Sequence, residues 1–97
     1  MAQVVYAARS LAPIERALQL LRNKNPAAAI DAVTAIQSAV DILSAHPLVG
    51  HRIDGELREL IISYGQTGYV ALYRFVVSRD AVRVLAIRHQ RELGFLP

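Results

Sequence analysis

The side chains in this sequence with the most chemical potential are its arginines. Lys24 is the only lysine among eleven basic residues, and eight acidic ones leave a net charge of +3. A guanidinium is a planar, permanently charged fork that grips phosphate or carboxylate through two parallel hydrogen bonds, so a bias this strong suits a nucleic-acid surface or an acidic protein partner. The plainer alternative is that the arginine stems cover apolar surface while their heads stay in water. Arg74 sits inside an apolar run, and Arg83, Arg88, His89 and Arg91 cluster in and after the next one with no acidic residue between Arg83 and Arg91. Arg52 and Arg58 precede them. His89 is the one member of the cluster whose charge changes near neutral pH, which makes it the candidate general acid or base. Its ordinary role is an edge residue satisfied by backbone or water. His46 and His51 could be a metal pair, but no carboxylate or cysteine stands at a ligand-like spacing, so they read as solvated loop residues and no metal is expected. There is no cysteine, no glycine-rich phosphate cradle and no nucleophile elbow, and no cofactor is expected.

The elements that must position these groups are legible. Leu57 to Tyr64, Tyr69 to Val77 and Ala81 to Arg88 are runs of Val, Ile, Leu and Tyr that suit a pleated surface. They are divided by Gly65-Gln66-Thr67-Gly68, where glycine permits positive φ, and by Ser78-Arg79-Asp80. A three-stranded antiparallel meander follows. Upstream, Gln3 to Ala8 is a short apolar run that could join the sheet as a further strand. Ile14, Ala17, Leu18 and Leu21 recur at helical spacing after Pro13, giving a helix over about 12–22. Asn25-Pro26 is a restart signal, an N-cap before a proline at the first helical position. Val33, Ile36, Val40 and Leu43 mark the apolar face of a second helix, which Pro47 ends near Ser44 or Ala45. The segment Pro47 to Gly55 reads as a loop. The expected fold is α+β, one domain over residues 1–97: an N-terminal strand and an αα-hairpin packed on an antiparallel three- to four-stranded sheet.

Strict alternation along the last strand puts Arg83 and His89 on one face with Leu85 and Ile87, and Arg88 on the other with Val84 and Ala86. On the middle strand Ala71, Tyr73, Phe75 and Val77 suit the helix side, so Arg74 points to the open face with Val70, Leu72 and Val76. Those three apolar positions are candidates for cover by a partner peptide. Apolar residues make up 54% of the chain, enough for a folded core rather than disorder. No apolar run approaches the roughly 20 residues of a membrane span, and the first residues do not resemble a signal peptide, so a cytoplasmic location is expected.

In order along the chain, the helix hairpin, Pro47-Leu48-Val49-Gly50-His51-Arg52, Leu57-Arg58-Glu59-Leu60, Tyr73-Arg74-Phe75-Val76 and Val84-Leu85-Ala86-Ile87-Arg88-His89-Gln90-Arg91 resemble the RelE/ParE superfamily, the toxins of bacterial type II toxin–antitoxin and plasmid stabilisation systems. The resemblance spans almost the whole chain. It implies a cytoplasmic toxin neutralised by a co-expressed antitoxin whose segment wraps the helix hairpin and sheet, with Val70, Leu72 and Val76 as antitoxin contacts.

That superfamily holds two mechanisms. RelE-like members cleave mRNA in the ribosomal A site without metal, using cationic side chains and a Tyr or His at the C-terminus. Here the first meander strand offers only Arg58 near its start, and the tail after His89 has no tyrosine. If the chain is such an endoribonuclease, its candidates are Arg58, Arg74, Arg88, His89 and Arg91. ParE-like members act by binding, with DNA gyrase as the usual target. The Leu85-Ala86-Ile87-Arg88-His89-x-Arg91 ending resembles this branch more, and the division of arginines between faces argues for it too. On that reading Arg52, Arg58, Arg74, Arg83, Arg88, His89 and Arg91 bind the target, and the apolar tail is a contact for target, antitoxin or a second copy in a homodimer. A non-toxic interaction module is the third expectation.

Overall fold

The computed structural model describes residues 1–64 and 67–89, apart from the side chains of Pro13, Ser63, Tyr64 and Thr67. Gly65, Gln66 and Gln90 to Pro97, Arg91 among them, lie outside the described residues. Five strands and two helices follow in the order β1 (Gln3–Tyr6), α1 (Ala12–Lys24), α2 (Pro26–Ala45), β2 (His51–Asp54), β3 (Leu57–Tyr64), β4 (Thr67–Val76) and β5 (Ala81–His89). The sheet order is β1-β5-β4-β3-β2. The α+β class and the meander are as expected. Two features of the sheet differ: β1 runs parallel to β5, and the segment read as a loop contains edge strand β2, paired antiparallel with β3. All four β2 residues are exposed, so no apolar alternation marks them as a strand.

Asn25 joins the helices. Its backbone N–H closes α1 on the Leu21 carbonyl at 2.7 Å, while its Oδ1 accepts from the Ala28 N–H at 3.1 Å and caps α2. The buried stripe of α2 is Ala29, Ala32, Ile36, Ala39, Val40 and Leu43. Val33, expected on that stripe, is 39% exposed. Alanines decide the geometry here: they let the helix approach α1 and the sheet closely, and a pattern drawn from larger residues overlooks them. At 20 residues α2 also reaches the length and apolarity of a membrane span, contrary to expectation, yet Ala32 and Leu43 are wholly buried in the core it forms with the sheet.

Two contacts hold the chain start in place. The Ala2 N–H donates to the Ser44 carbonyl at 2.9 Å, and Ser44 Oγ donates back to the Ala2 carbonyl at 2.6 Å. At the start of β1, the Gln3 N–H donates to the carbonyl of Asp80, a left-handed residue (φ 47°) that closes the 3₁₀ turn Val77–Arg79 between β4 and β5.

The most consequential irregularity is in β5. Leu72 pairs with Ala86 and Tyr73 with Val84, so Leu85 is an extra residue, a β-bulge. The segment after β1 fastens either side of it: the Ala7 N–H donates to the Val84 carbonyl, and the Ile87 N–H to that of Ser10. The bulge resets the alternation. Val82, Val84 and Ile87 all enter the core under the helices with Tyr69, Ala71 and Tyr73.

Candidate functional site

The bulge places Arg83 and Arg88 on the same face of the sheet. Counted through Leu85, both alternate against buried neighbours Val84 and Ile87 and join Arg74 on the face away from the helices. The division of arginines read from strict alternation is therefore corrected: Arg74, Arg83 and Arg88 share the open face. His89 lies on the opposite side, its ring edge-on to Tyr69 at 5.4 Å and 85°.

The open face has three zones. At the end near the β4–β5 turn, the register Val5↔Arg83, Arg83↔Arg74 and Arg74↔Leu57 lines up four residues across four strands. Both arginines are exposed. In the middle lie Leu72, Ala86, Val70 and Ile61. Val70, expected as an exposed contact, is only 4% exposed, whereas Leu72 and Val76 are half-buried and Ile61, which alternation did not single out, is 54% exposed. Arg88 pairs with Val70, and its Nε is buried with no hydrogen-bond partner among the described residues. At the far edge His51 faces Glu59 across β2 and β3. With strands about 4.8 Å apart, Glu59 stands two strands, about 10 Å, from β5. Val77, expected on the helix side, is 77% exposed in the 3₁₀ turn.

Arg58 and Arg52 hold local structure. Arg58 Nη1 donates to the carbonyls of Leu48 (3.1 Å) and Gly50 (2.9 Å), and Arg52 Nε donates to the Gly55 carbonyl at 2.7 Å across the β2–β3 turn, where Gly55 takes φ +56°. Beneath the Arg58 contacts, the Gly50 N–H donates to the buried Tyr73 hydroxyl at 2.7 Å. A Cβ on Gly50 would lie 2.5 Å from that oxygen, so only glycine fits. Burial pushes the Tyr73 phenol above its ordinary 10.0, against the Gly50 N–H and Arg58, which favour the ionised form. The segment Pro47 to Arg52 and the arginine of Leu57-Arg58-Glu59-Leu60 thus form a clamp on the middle strand, which sequence spacing alone did not disclose.

On the helical side, Leu18, Arg22, Ala29, Ile30, Val33 and Gln37 line a groove of about 710 Å³ between α1 and α2, with Ile30 67% exposed. Among the described residues no three His, Asp or Glu side chains gather as metal ligands.

Two helices packed on a mixed five-stranded sheet are the architecture of a known class. A family model described as the ParE toxin of type II toxin–antitoxin system, parDE, matches residues 4–94. The chain belongs to this family. It is also similar to a protein of Caulobacter vibrioides named Toxin RelE3, at 42% identity over 72 residues, which cover 74% of this chain and 76% of that protein. Membership implies a cognate antitoxin as partner.

Proposed function

We propose that the chain is a toxin that arrests growth by binding a macromolecular target, DNA gyrase, rather than by cutting RNA, and that its antitoxin neutralises it by covering the open face of the sheet and the groove between the helices. The observation that carries this reading is the separation of His89 from the arginines: the one histidine of that cluster stands edge-on to Tyr69 on the helix side of the sheet, while Arg74, Arg83 and Arg88 face the other way. The centre of the open face supports it. Ile61, Val70, Leu72 and Ala86 occupy the ground where a nuclease would need cations around a phosphate, and Arg58 is engaged with the Leu48 and Gly50 carbonyls. Exposed Ile61 and half-buried Leu72 and Val76 fit a partner segment, as do Ile30 and Val33 in the groove.

The name of the Caulobacter relative favours a second reading, a RelE-like ribosome-dependent mRNA interferase. On the open face Glu59 and His51 would then be its acid–base pair. Inducible expression with and without the neighbouring antitoxin gene, followed by mapping of mRNA 5′ ends in arrested cells, separates the two. Arrest that the antitoxin relieves, with mRNA intact, supports binding; new 5′ ends at codon boundaries refute it. Growth without arrest would leave a non-toxic interaction module.

A further inference from the structure

We infer that the transverse row Val5–Arg83–Arg74–Leu57 is a docking site for an acidic segment of a partner polypeptide, one that presents carboxylates between two apolar side chains. This rests on the reading that a partner covers the open face, and adds the chemistry of that partner. Arg74 and Arg83 are directly paired across β4 and β5, both are exposed, and neither has an ion-pair partner among the described residues. Like charges directly opposite one another weaken a sheet, so an anion held between the two guanidinium groups relieves a repulsion built into the strands as well as adding charge-assisted hydrogen bonds. Val5, 43% exposed on β1, and half-buried Leu57 on β3 close the row at either end. Successive strands about 4.8 Å apart make the row about 14 Å long, apolar at the ends and cationic in the middle. An amphipathic helix with apolar residues at positions 1 and 12 and glutamates at 5 and 8 spans about 16 Å and matches that order.

Charge complementarity alone would suit phosphate as well. The residues around the pair favour a polypeptide. No Phe, Tyr or Trp side chain stands on the described part of this face to stack a base, the positions flanking the arginine pair are aliphatic, and Glu59 two positions along β3 from Leu57 would repel a nucleic-acid backbone.

The test is fluorescence anisotropy with three labelled probes: a 15-residue helical peptide carrying the Leu, Glu, Glu, Leu pattern, the same peptide with both glutamates replaced by glutamine, and a 12-nucleotide oligouridylate. The glutamate peptide should bind the wild-type chain at least about tenfold tighter than its glutamine counterpart, and Arg74→Gln and Arg83→Gln should each weaken it about tenfold, with circular dichroism melts confirming that both variants fold. Arg83→Lys, which keeps the charge and loses the fork, should fall between wild type and Arg83→Gln. Equal binding of the two peptides, or affinity unchanged in the variants, overturns the inference. So does oligouridylate binding that is tighter than the glutamate peptide and lost in the same variants. Growth arrest and its relief by the antitoxin are read separately in cells, so a chain that is toxic but fails the peptide test loses only this inference.

Discussion

Gly50→Ala tests the clamp on the middle strand. The added Cβ would meet Tyr73 Oη at 2.5 Å, Tyr73 Cε1 at 2.6 Å and the Glu59 backbone carbonyl at 2.8 Å. Tyr73 is fully buried and cannot swing away, and the Glu59 carbonyl belongs to β3, so the strain must be absorbed by moving the Pro47–Gly50 segment outward. Overpacking of a core costs about 1–3 kcal/mol, and losing the 2.7 Å hydrogen bond from the Gly50 N–H adds about 1 kcal/mol, a total of about 2–4 kcal/mol. In a domain of this size 1 kcal/mol moves Tm by about 4–8 °C, so the variant should melt at least about 8 °C below wild type. The control is a double-mutant cycle with Tyr73→Phe, followed by thermal and urea melts. In the wild-type background the loss of the hydroxyl strands a buried N–H, at about 1–2 kcal/mol. In the Gly50→Ala background it removes the nearest clashing atom and should cost nearly nothing. Additive effects, or a Gly50→Ala Tm within 2 °C of wild type, would refute the clamp.

Three further outcomes follow from other contacts. Arg58→Ala removes the donor to the Leu48 and Gly50 carbonyls and should lower stability by about 1–2 kcal/mol in urea while leaving affinity for the Leu, Glu, Glu, Leu peptide within twofold of wild type, read by anisotropy. Asp80→Val places a β-branched residue at φ 47° and should cost about 1–2 kcal/mol, whereas Asp80→Asn should be near neutral, both measured by thermal melts. Burial raises the Tyr73 phenol above 10.0, and burial with Asp41 does the same for Tyr6. A raised folded value means this stability is fully present below pH 10 and lost as pH rises through the folded value, so urea midpoints should fall above pH 10, and less steeply in Tyr73→Phe.

The meander, the helix hairpin and their breaks were legible because each rests on local chemistry: Asn25-Pro26, Pro47 and the runs of β-branched residues act within a few positions. The faces of β5 were not. A bulge is decided by how Ala7 and Ser10 fasten around Leu85, some 75 residues away in sequence, and one extra residue reverses every assignment on one side of it. Strand β2 escaped because its pairing is carried by backbone, with no buried side chain to mark it. Alanine weakens helical pattern reading for a related reason: Ala29, Ala32 and Ala39 matter by being small, which lets Val33 turn toward the outer groove. At the site, Gly50 and Arg58 stood out by their place in recognisable segments, but their common partner, the Tyr73 strand, emerges only in three dimensions. The proposal of binding over cleavage rests on His89 facing away from three arginines that share a surface, residues that strict alternation divides between faces.

The most direct measurement is a pair of assays on one purified preparation: supercoiling of relaxed plasmid by DNA gyrase, and cleavage of a reporter mRNA on programmed ribosomes. The account predicts that supercoiling is inhibited, that added antitoxin restores it, and that the mRNA stays whole. Untouched supercoiling together with mRNA cut in the ribosomal A site would contradict it.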